Sequence, residues 1–367
     1  MAHILKKKSI ILILISLVIL GVFFAVDNNE RFYKETIIKV TSVSVDSTYE
    51  RIGTNGRPEK ITVQNITAVI RNGDNKGEQV TFKKEYSESL ILSSRYFRGD
   101  KLFADVNGQN GDFEVTVTNE KRDSSIVLLL GIFVLLVVMV AKRACIFILL
   151  SLAVNAAMLW VSIKNVNIGI LTDWFWIVLC VLFVFITLIF VCGRNVKTVY
   201  TFVSSLVTVS VIVLIYWLTV YGDSSLSYES IEYTLANMPL AKIYMISVIF
   251  GSLGAIMDIA VTITSSAFEI ARDNDTITYA EYFNSLREIG YDILSTMINV
   301  LFFSYISGML PSAVLMLCNG VSIDAIFKTE MIFEVIRFLI GSIGIVLAIP
   351  ISIIFALIML KRKRKKV

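Results

Sequence analysis

Apolar runs of membrane length, separated by short polar breaks, make up most of the chain. The first covers residues 10–26, and seven more follow at about 125–141, 144–163, 174–192, 198–221, 243–264, 293–318 and 338–360. A spanning helix needs about 20 apolar residues, so the pattern predicts about eight transmembrane helices. Between the first two runs the pattern changes to a period of two residues. TIIKVTSVSV, KITVQNITAVI, EQVTFKKEY, KLFADV and FEVTVTN alternate apolar with polar positions. Turn signals separate them at Asn55-Gly56, Gly73-Asp74, Arg98-Gly99-Asp100, Asn107-Gly108 and Asn110-Gly111. Five short strands in this segment predict a small all-β domain, an OB-like barrel.

Composition and charge orient this plan. Of 367 residues, 56% are hydrophobic and 17% charged, against about 25% charged in a soluble domain. With the amino terminus inside, the inner segments hold Lys6 to Lys8, Lys142, Arg143, Arg194, Lys197, Arg272, Arg287 and the tail KRKRKK, while the short outer loops hold Lys164, Lys242 and Lys328. Cytoplasmic loops collect Lys and Arg, so both termini are expected in the cytoplasm and the β domain outside. Trp174, Trp176, Tyr216, Trp217 and Tyr221 then fall near the outer boundary, as interfacial aromatics. Phe23 suits the minus-three position of a cleavage site poorly, so the first helix is expected to remain as an anchor. The expected fold is therefore an α-helical polytopic membrane protein with a small extracytoplasmic all-β domain. Its parts are an anchor at 1–26, the β domain at 27–124, a seven-helix membrane domain at 125–360 and a basic cytoplasmic tail at 361–367.

Several chemistries are excluded or disfavoured. His3 is the single histidine, which removes imidazole-based triads and zinc sites. Cys145, Cys180, Cys192 and Cys318 lie in or beside apolar runs and read as packing residues. No Walker motif is present. The expectation is no enzyme, no metal and no cofactor. The basic tail reads as a topology signal or an anionic-lipid contact, and the β domain lacks a basic-aromatic face, so no nucleic-acid partner is expected. The loop at 265–291 carries Phe268, Ile270, Ala271, Tyr282, Phe283 and Leu286. It reads equally as short amphipathic helices on the membrane or as a solvated loop.

Polar residues inside apolar runs are costly and tend to mark function. At 100° per residue Asp258 shares a face with Thr262, Ser265 and Glu269 on one side and Gly251 and Gly254 on the other. In the next run Asp292, Thr296, Asn299 and Ser307 also share a face. Counting ~1.5 Å per residue puts Asn299 ~10 Å and Asp258 ~12 Å from the inner boundary, where they could meet. In the last run Glu330, Glu334, Arg337, Gly341 and Gly344 form a third stripe. Glu334 and Arg337 are spaced to neutralise each other, the glycines allow close helix contact, and Pro350 is expected to kink the helix or free a carbonyl. Interhelical hydrogen bonding and packing is the plainer reading of the Ser and Thr residues. For Asp258 a pathway role is favoured, with Asp292, Asn299 or Arg337 as candidate partner.

The segments GSLGAIMDIAVTITSSAFEI, SLREIGYDILSTMINVLFFSYISGMLP and EVIRFLIGSIGIVLAIP, in this order and preceded by GRNVKTVYTFV, resemble the YibE/F family of bacterial multi-pass membrane proteins. FRGDKLF in the β domain resembles it more loosely. The resemblance implies the same architecture and, as a conjecture, transport. It carries onto Asp258, Glu269, Asp292, Thr296, Asn299, Glu334 and Arg337. Family members have Ile-Gly-Arg-Asp-Ile-x-Gly-Thr-Met at the second motif, where this chain has Ile289-Gly290-Tyr291-Asp292-Ile293-Leu294-Ser295-Thr296-Met297. The Arg and the second Gly are replaced, so Asp292 lacks that neighbour.

Two functions follow as expectations. One is a transporter or exporter of an ion or small solute, driven by protons, with its pathway between the sixth, seventh and eighth helices. The other is a membrane-anchored scaffold or assembly protein whose β domain holds a membrane or extracytoplasmic protein partner. Paired aspartates on adjacent helices also raise an intramembrane protease, but Gly-x-Gly-Asp is absent and Asp292 lies at the membrane edge, which disfavours it.

Overall fold

The computed structural model describes residues 2–53, 56, 58–73, 75–90, 94–109, 112–165, 173–221, 240–274 and 276–364. The side chains of Lys6 to Lys8, the turn positions Asn55, Asp74, Asn110 and Gly111, and the tail beyond Arg364 lie outside the described residues. The chain divides into two compact units, 1–145 and 146–367.

In the first unit, helix α1 (Ala2–Asp27) precedes strands β1 (Ile37–Ile52), β2 (Pro58–Ile70), β3 (Gln79–Ser87), β4 (Lys101–Gln109) and β5 (Asp112–Glu120), and α2 (Asp123–Ala141) closes it. The strands form one antiparallel sheet in the order β3-β2-β1-β4-β5. One face is buried through Ile38, Val40, Ile66, Ala68, Val80 and Leu102, the alternation that the sequence displays. The sheet corrects the expected barrel, because β3 and β5 approach each other without a shared ladder and the barrel does not close. β1 pairs with β2 from Ile38↔Ile70 to Ile52↔Pro58, but with β4 only from Ile37↔Phe103 to Lys39↔Lys101. Beyond those rungs β1 has no ladder with β4 among the described residues. Gln64 fixes the segment before β4, donating from Nε2 to the Tyr96 carbonyl and accepting the Tyr96 amide at Oε1, both at 3.1 Å.

An ionic cluster joins the foot of the sheet to the end of α1. Lys101 donates to the Asp27 carbonyl and pairs with the Asp27 and Glu30 carboxylates at 3.0 Å. Lys121 donates to the Val26 carbonyl and to Asp123, both at 2.8 Å. Two ammonium groups thus satisfy the last carbonyls of α1, where the helix dipole favours positive charge. Burial penalises the Glu30 carboxylate, but the Lys101 hydrogen bond and the charges of Lys101 and Arg71 outweigh it, so its carboxyl lies below the ordinary range. Above this cluster α1 packs on α2, where a Cβ at Gly131 would run into Ile19.

The second unit comprises α3 (Cys145–Asn165), α4 (Asp173–Cys192), α5 (Val196–Tyr216), α6 (Leu240–Asp273), α7 (Tyr279–Cys318), α8 (Ile323–Ile326) and α9 (Ile332–Arg364). Its core is built on α9, which packs against α5, α6 and α7. A Cβ at Gly344 would run into Ile212 of α5 and come within 3.3 Å of Ile256 of α6. At Gly341 it would meet Leu301 of α7 and Ser252 of α6. The missing side chains let these backbones approach. α9 continues as helix through Pro350. Asn155 of α3 donates to Thr187 of α4 at 2.8 Å.

Seven helical segments among the described residues are long and apolar enough to cross a membrane: Asp123–Ala141, Cys145–Lys164, Phe175–Cys192, Val196–Val220, Leu240–Asp273, Tyr279–Cys318 and Ile323–Arg362. For α1, which has 26 residues, the apolar part described is Ile13–Asp27.

Two local expectations change. The segment at 265–291 is neither a loop nor a set of separate surface helices, since α6 runs on to Asp273 and α7 starts at Tyr279. A capping box of Thr278 and Glu281 starts α7. Tyr282 is fully buried and donates to the Ala267 carbonyl at 2.8 Å, which zips the two helix ends together. Tyr216 is not an interfacial aromatic. It is fully buried, packs on Tyr244 and donates to the Ala241 carbonyl at 3.2 Å. Trp217 is exposed and Trp176 half-buried, while the side chains of Trp174 and Tyr221 lie outside the described residues.

Candidate functional site

The strongest polar constellation in the second unit forms where the first turns of α6 and α9 meet α7. Arg337 of α9 donates through Nη1 to both oxygens of Glu334, at 2.8 and 2.9 Å, and through Nη2 to Ser247 of α6 at 3.0 Å. Its guanidinium lies 5.7 Å from the ring centroid of Tyr244 of α6 and 5.5 Å from that of Tyr305 of α7. Such placement over aromatic faces stabilises a part-buried cation. Tyr244 is itself fixed by donating to the Phe333 carbonyl at 2.5 Å. Gly251 leaves room for Tyr305, because a Cβ there would collide with the Tyr305 hydroxyl.

Two donors in this cluster remain unused. Arg337 Nε and the Tyr305 hydroxyl are buried with no hydrogen-bond partner among the described residues. Buried polar groups are ordinarily satisfied, so the site has spare capacity for an acceptor. Glu330, the first member of the third stripe, instead accepts from Ser312 of α7 at 2.8 Å.

The other expected residues occupy a different surface. On α6, Asp258, Thr262 and Glu269 are exposed, whereas Ile256 and Ala260, two positions either side of Asp258 and so ~200° around the helix, are buried. On α7, Asp292, Thr296 and Asn299 are exposed while Leu301 is buried. Both stripes face away from the packed interior of this unit. Thr262 donates to the Asp258 carbonyl at 2.7 Å, Thr296 to that of Ile293 at 2.8 Å, and Asn299 to that of Ser295 at 2.9 Å. Among the described residues, no hydrogen bond or ion pair joins Asp258 to Asp292, Asn299 or Arg337. Gly254 lies on the same open face, with nothing within 4 Å of a Cβ there.

One polar feature escaped the sequence reading. Thr198, Thr201, Ser204, Ser205 and Thr208 of α5 are all buried. Most return their hydroxyls to the preceding turn, as Thr201 does to Lys197 at 2.9 Å and Thr208 to Ser204 at 2.8 Å. Ser205, Thr264 of α6 and Ser352 of α9 are buried with unpartnered hydroxyls among the described residues. The spacing of Thr201, Ser204, Ser205 and Thr208 is that of one helix face and was visible in TFVSSLVTVS.

A family model described as YibE/F-like protein matches residues 129–362, and one described as YibE/F family N-terminal domain matches residues 31–120. No curated protein and no solved structure matches the chain.

Proposed function

The chain belongs to the YibE/F family, and from that premise we propose that it is a carrier of an ion or small solute in the bacterial cytoplasmic membrane, with both termini inside and the sheet domain outside. The observation that carries the reading is Arg337, a cation in an apolar helix on which α6, α7 and α9 converge. Ionisable groups at such positions are functional by default. In this reading the Arg337–Glu334 pair is the polar element at one end of the pathway, with Arg337 Nε and the Tyr305 hydroxyl as the donors that meet a solute. Asp258, Thr262, Thr296 and Asn299 supply the polar faces that continue toward the cytoplasm, and Glu269 and Asp292 stand at that mouth. Asp258 is the proton-carrying group. No residue has a catalytic role.

Reconstitution of the full chain in liposomes, with solutes screened for flux under an imposed pH gradient, tests this. Flux that Arg337→Gln abolishes supports the reading, and flux unaffected by that change removes the site.

A second reading, a scaffold that holds a partner outside the membrane, is favoured by one feature of the sheet. Past its rungs with β4, the second edge of β1 has no strand partner among the described residues, and Val45, Tyr49 and Ile52 are exposed there. Such an edge can accept a strand from another chain. Deleting residues 27–124 separates the two, because a scaffold loses its role entirely.

A further inference from the structure

The open faces of α6 and α7 lie deep along the apolar part of the second unit. Depth can be counted along α9, whose apolar run at 338–360 covers ~34 Å, close to the ~30 Å hydrocarbon core of a bilayer. A Cβ at Gly344 would come within 3.3 Å of Ile256 of α6, and one at Gly341 would run into Leu301 of α7. These contacts fix the heights of α6 and α7 against α9. Asp258, two residues past Ile256, then stands ~12 Å from the Phe338 end of the run, Thr296 also ~12 Å, and Asn299 ~8 Å. All three are exposed. On the Asp258 face the backbone at Gly254 is bare, with nothing within 4 Å of a Cβ there.

Lipid is a poor neighbour for this face, since polar and ionisable groups at membrane depth face protein or water. The remaining helices of the chain offer little to pair with it. Residues 10–26 of α1 carry Ser16 as their single polar side chain, residues 126–141 of α2 carry none, and Asn155 of α3 is engaged by Thr187 of α4. The same face on a second copy does offer partners. Asn299 spends one amide proton on the Ser295 carbonyl, which leaves its second proton and its carbonyl oxygen for the Asp258 carboxyl of another copy. A two-fold axis along the membrane normal keeps every residue at its own height and makes each contact twice, and Asp258, Thr296 and Asn299 lie within ~5 Å of one height. We propose that the chain forms a two-fold dimer through the α6–α7 face that carries Asp258, Thr296 and Asn299, with Gly254 where the backbones come closest. The dimer rests on the membrane placement proposed above, and the second copy closes the polar faces assigned there to the pathway.

Oxidative disulfide cross-linking of the full chain in dilute phosphatidylcholine vesicles tests this. The wild type, with Cys318 exposed, sets the background. Thr262→Cys, exposed on the Asp258 face, is expected to give several-fold more covalent dimer than that background, whereas Val207→Cys, exposed on α5, stays at it. Gly254→Leu added to Thr262→Cys holds the backbones apart and is expected to return cross-linking to background, while Gly254→Ala, still small, preserves it. Should the leucine variant fail to fold, Asp258→Leu with Asn299→Leu repeats the test, because an apolar face no longer needs a partner. Equal cross-linking of Thr262→Cys and Val207→Cys, or cross-linking that survives both leucine variants, overturns the dimer. Alkaline carbonate extraction of the same vesicles separates the two ways of failing. A chain that stays inserted without specific cross-linking overturns the dimer alone, and a chain that is extracted overturns the membrane placement and the dimer with it.

Discussion

Arg337 and Glu334 stand one turn apart on α9, and one guanidinium nitrogen reaches both carboxylate oxygens, at 2.8 and 2.9 Å. The pair is neutral as a unit, so each member is tolerable within an apolar helix only because of the other. Removing one is therefore worse than removing both. Arg337→Gln is expected to cost about 1–3 kcal/mol, the range for leaving a hydrogen-bonding group without its partner and less than for a fully buried pair, because the two side chains stay 22% and 21% exposed. The double variant Glu334→Gln with Arg337→Gln should recover a large part of that loss. Denaturant unfolding in detergent measures both, and a double variant less stable than Arg337→Gln alone contradicts the coupling.

The seam of α9 gives a second prediction, with its own control. A Cβ at Gly344 would meet Ile212 and Ile256 at once, both fully buried and without space to retreat. Gly344→Ala is expected to destabilise the second unit by about 1–3 kcal/mol, as overpacking does. Gly254→Ala meets nothing within 4 Å and should be neutral or gain up to ~1 kcal/mol of helix propensity. Unfolding midpoints of the two variants in one detergent decide the matter. Equal effects would mean that the seam is not close-packed.

How much of this was legible in the sequence depends on the range of the interaction. Apolar runs and the period-two alternation are local, and the helices and five strands followed from them. The extension of β1 to Ile52 was missed because residues 46–52 bury neither face, so no alternation marks them as strand. The open sheet was missed because closure depends on whether β3 and β5 pair, which neither strand encodes alone. The Glu334–Arg337 pair was readable as an i, i+3 spacing. Its surroundings were not, because Ser247, Tyr244 and Tyr305 come from other helices and have no local signature. Likewise the stripes on α6 and α7 were visible as faces, but which way a face points is set by where α9 packs.

The foot of the sheet domain should be acid-sensitive. The carboxyl of Glu30 lies below its ordinary value in the folded protein, so the ionised form favours folding. That contribution is fully present above the ordinary carboxylate pKa of about 4.3 and is lost as pH falls through the lower folded value. Glu30→Gln is expected to remove this part of the acid limb while leaving the neutral-to-alkaline limb in place. Thermal unfolding of the full chain followed by the far-ultraviolet β signal, from pH 7 down to about pH 3, provides the check. An unchanged acid limb in Glu30→Gln would assign the acid sensitivity to other groups.

Asp258 separates function from stability more cleanly than any other residue of the proposed pathway. Its carboxylate has no hydrogen bond or ion pair among the described residues, and only its backbone carbonyl is used, by Thr262. Asp258→Asn keeps the shape and leaves the Thr262 bond possible, so the unfolding midpoint should shift by no more than ~0.5 kcal/mol, the range of changes away from packed or paired groups. If the carboxyl carries the proton in each transport cycle, the same change removes the titrating group, and flux driven by a pH gradient should fall to the level of empty liposomes. Asp258→Glu keeps a titrating group one methylene further out and should retain measurable flux. A carboxylate that merely sits at a helix surface predicts the reverse, with Asn and Glu variants alike and both near wild type. Measuring the three proteins side by side, with folding checked by the same denaturant titration, distinguishes a proton site from a surface acid, because only the proton site makes flux depend on titration while stability stays constant.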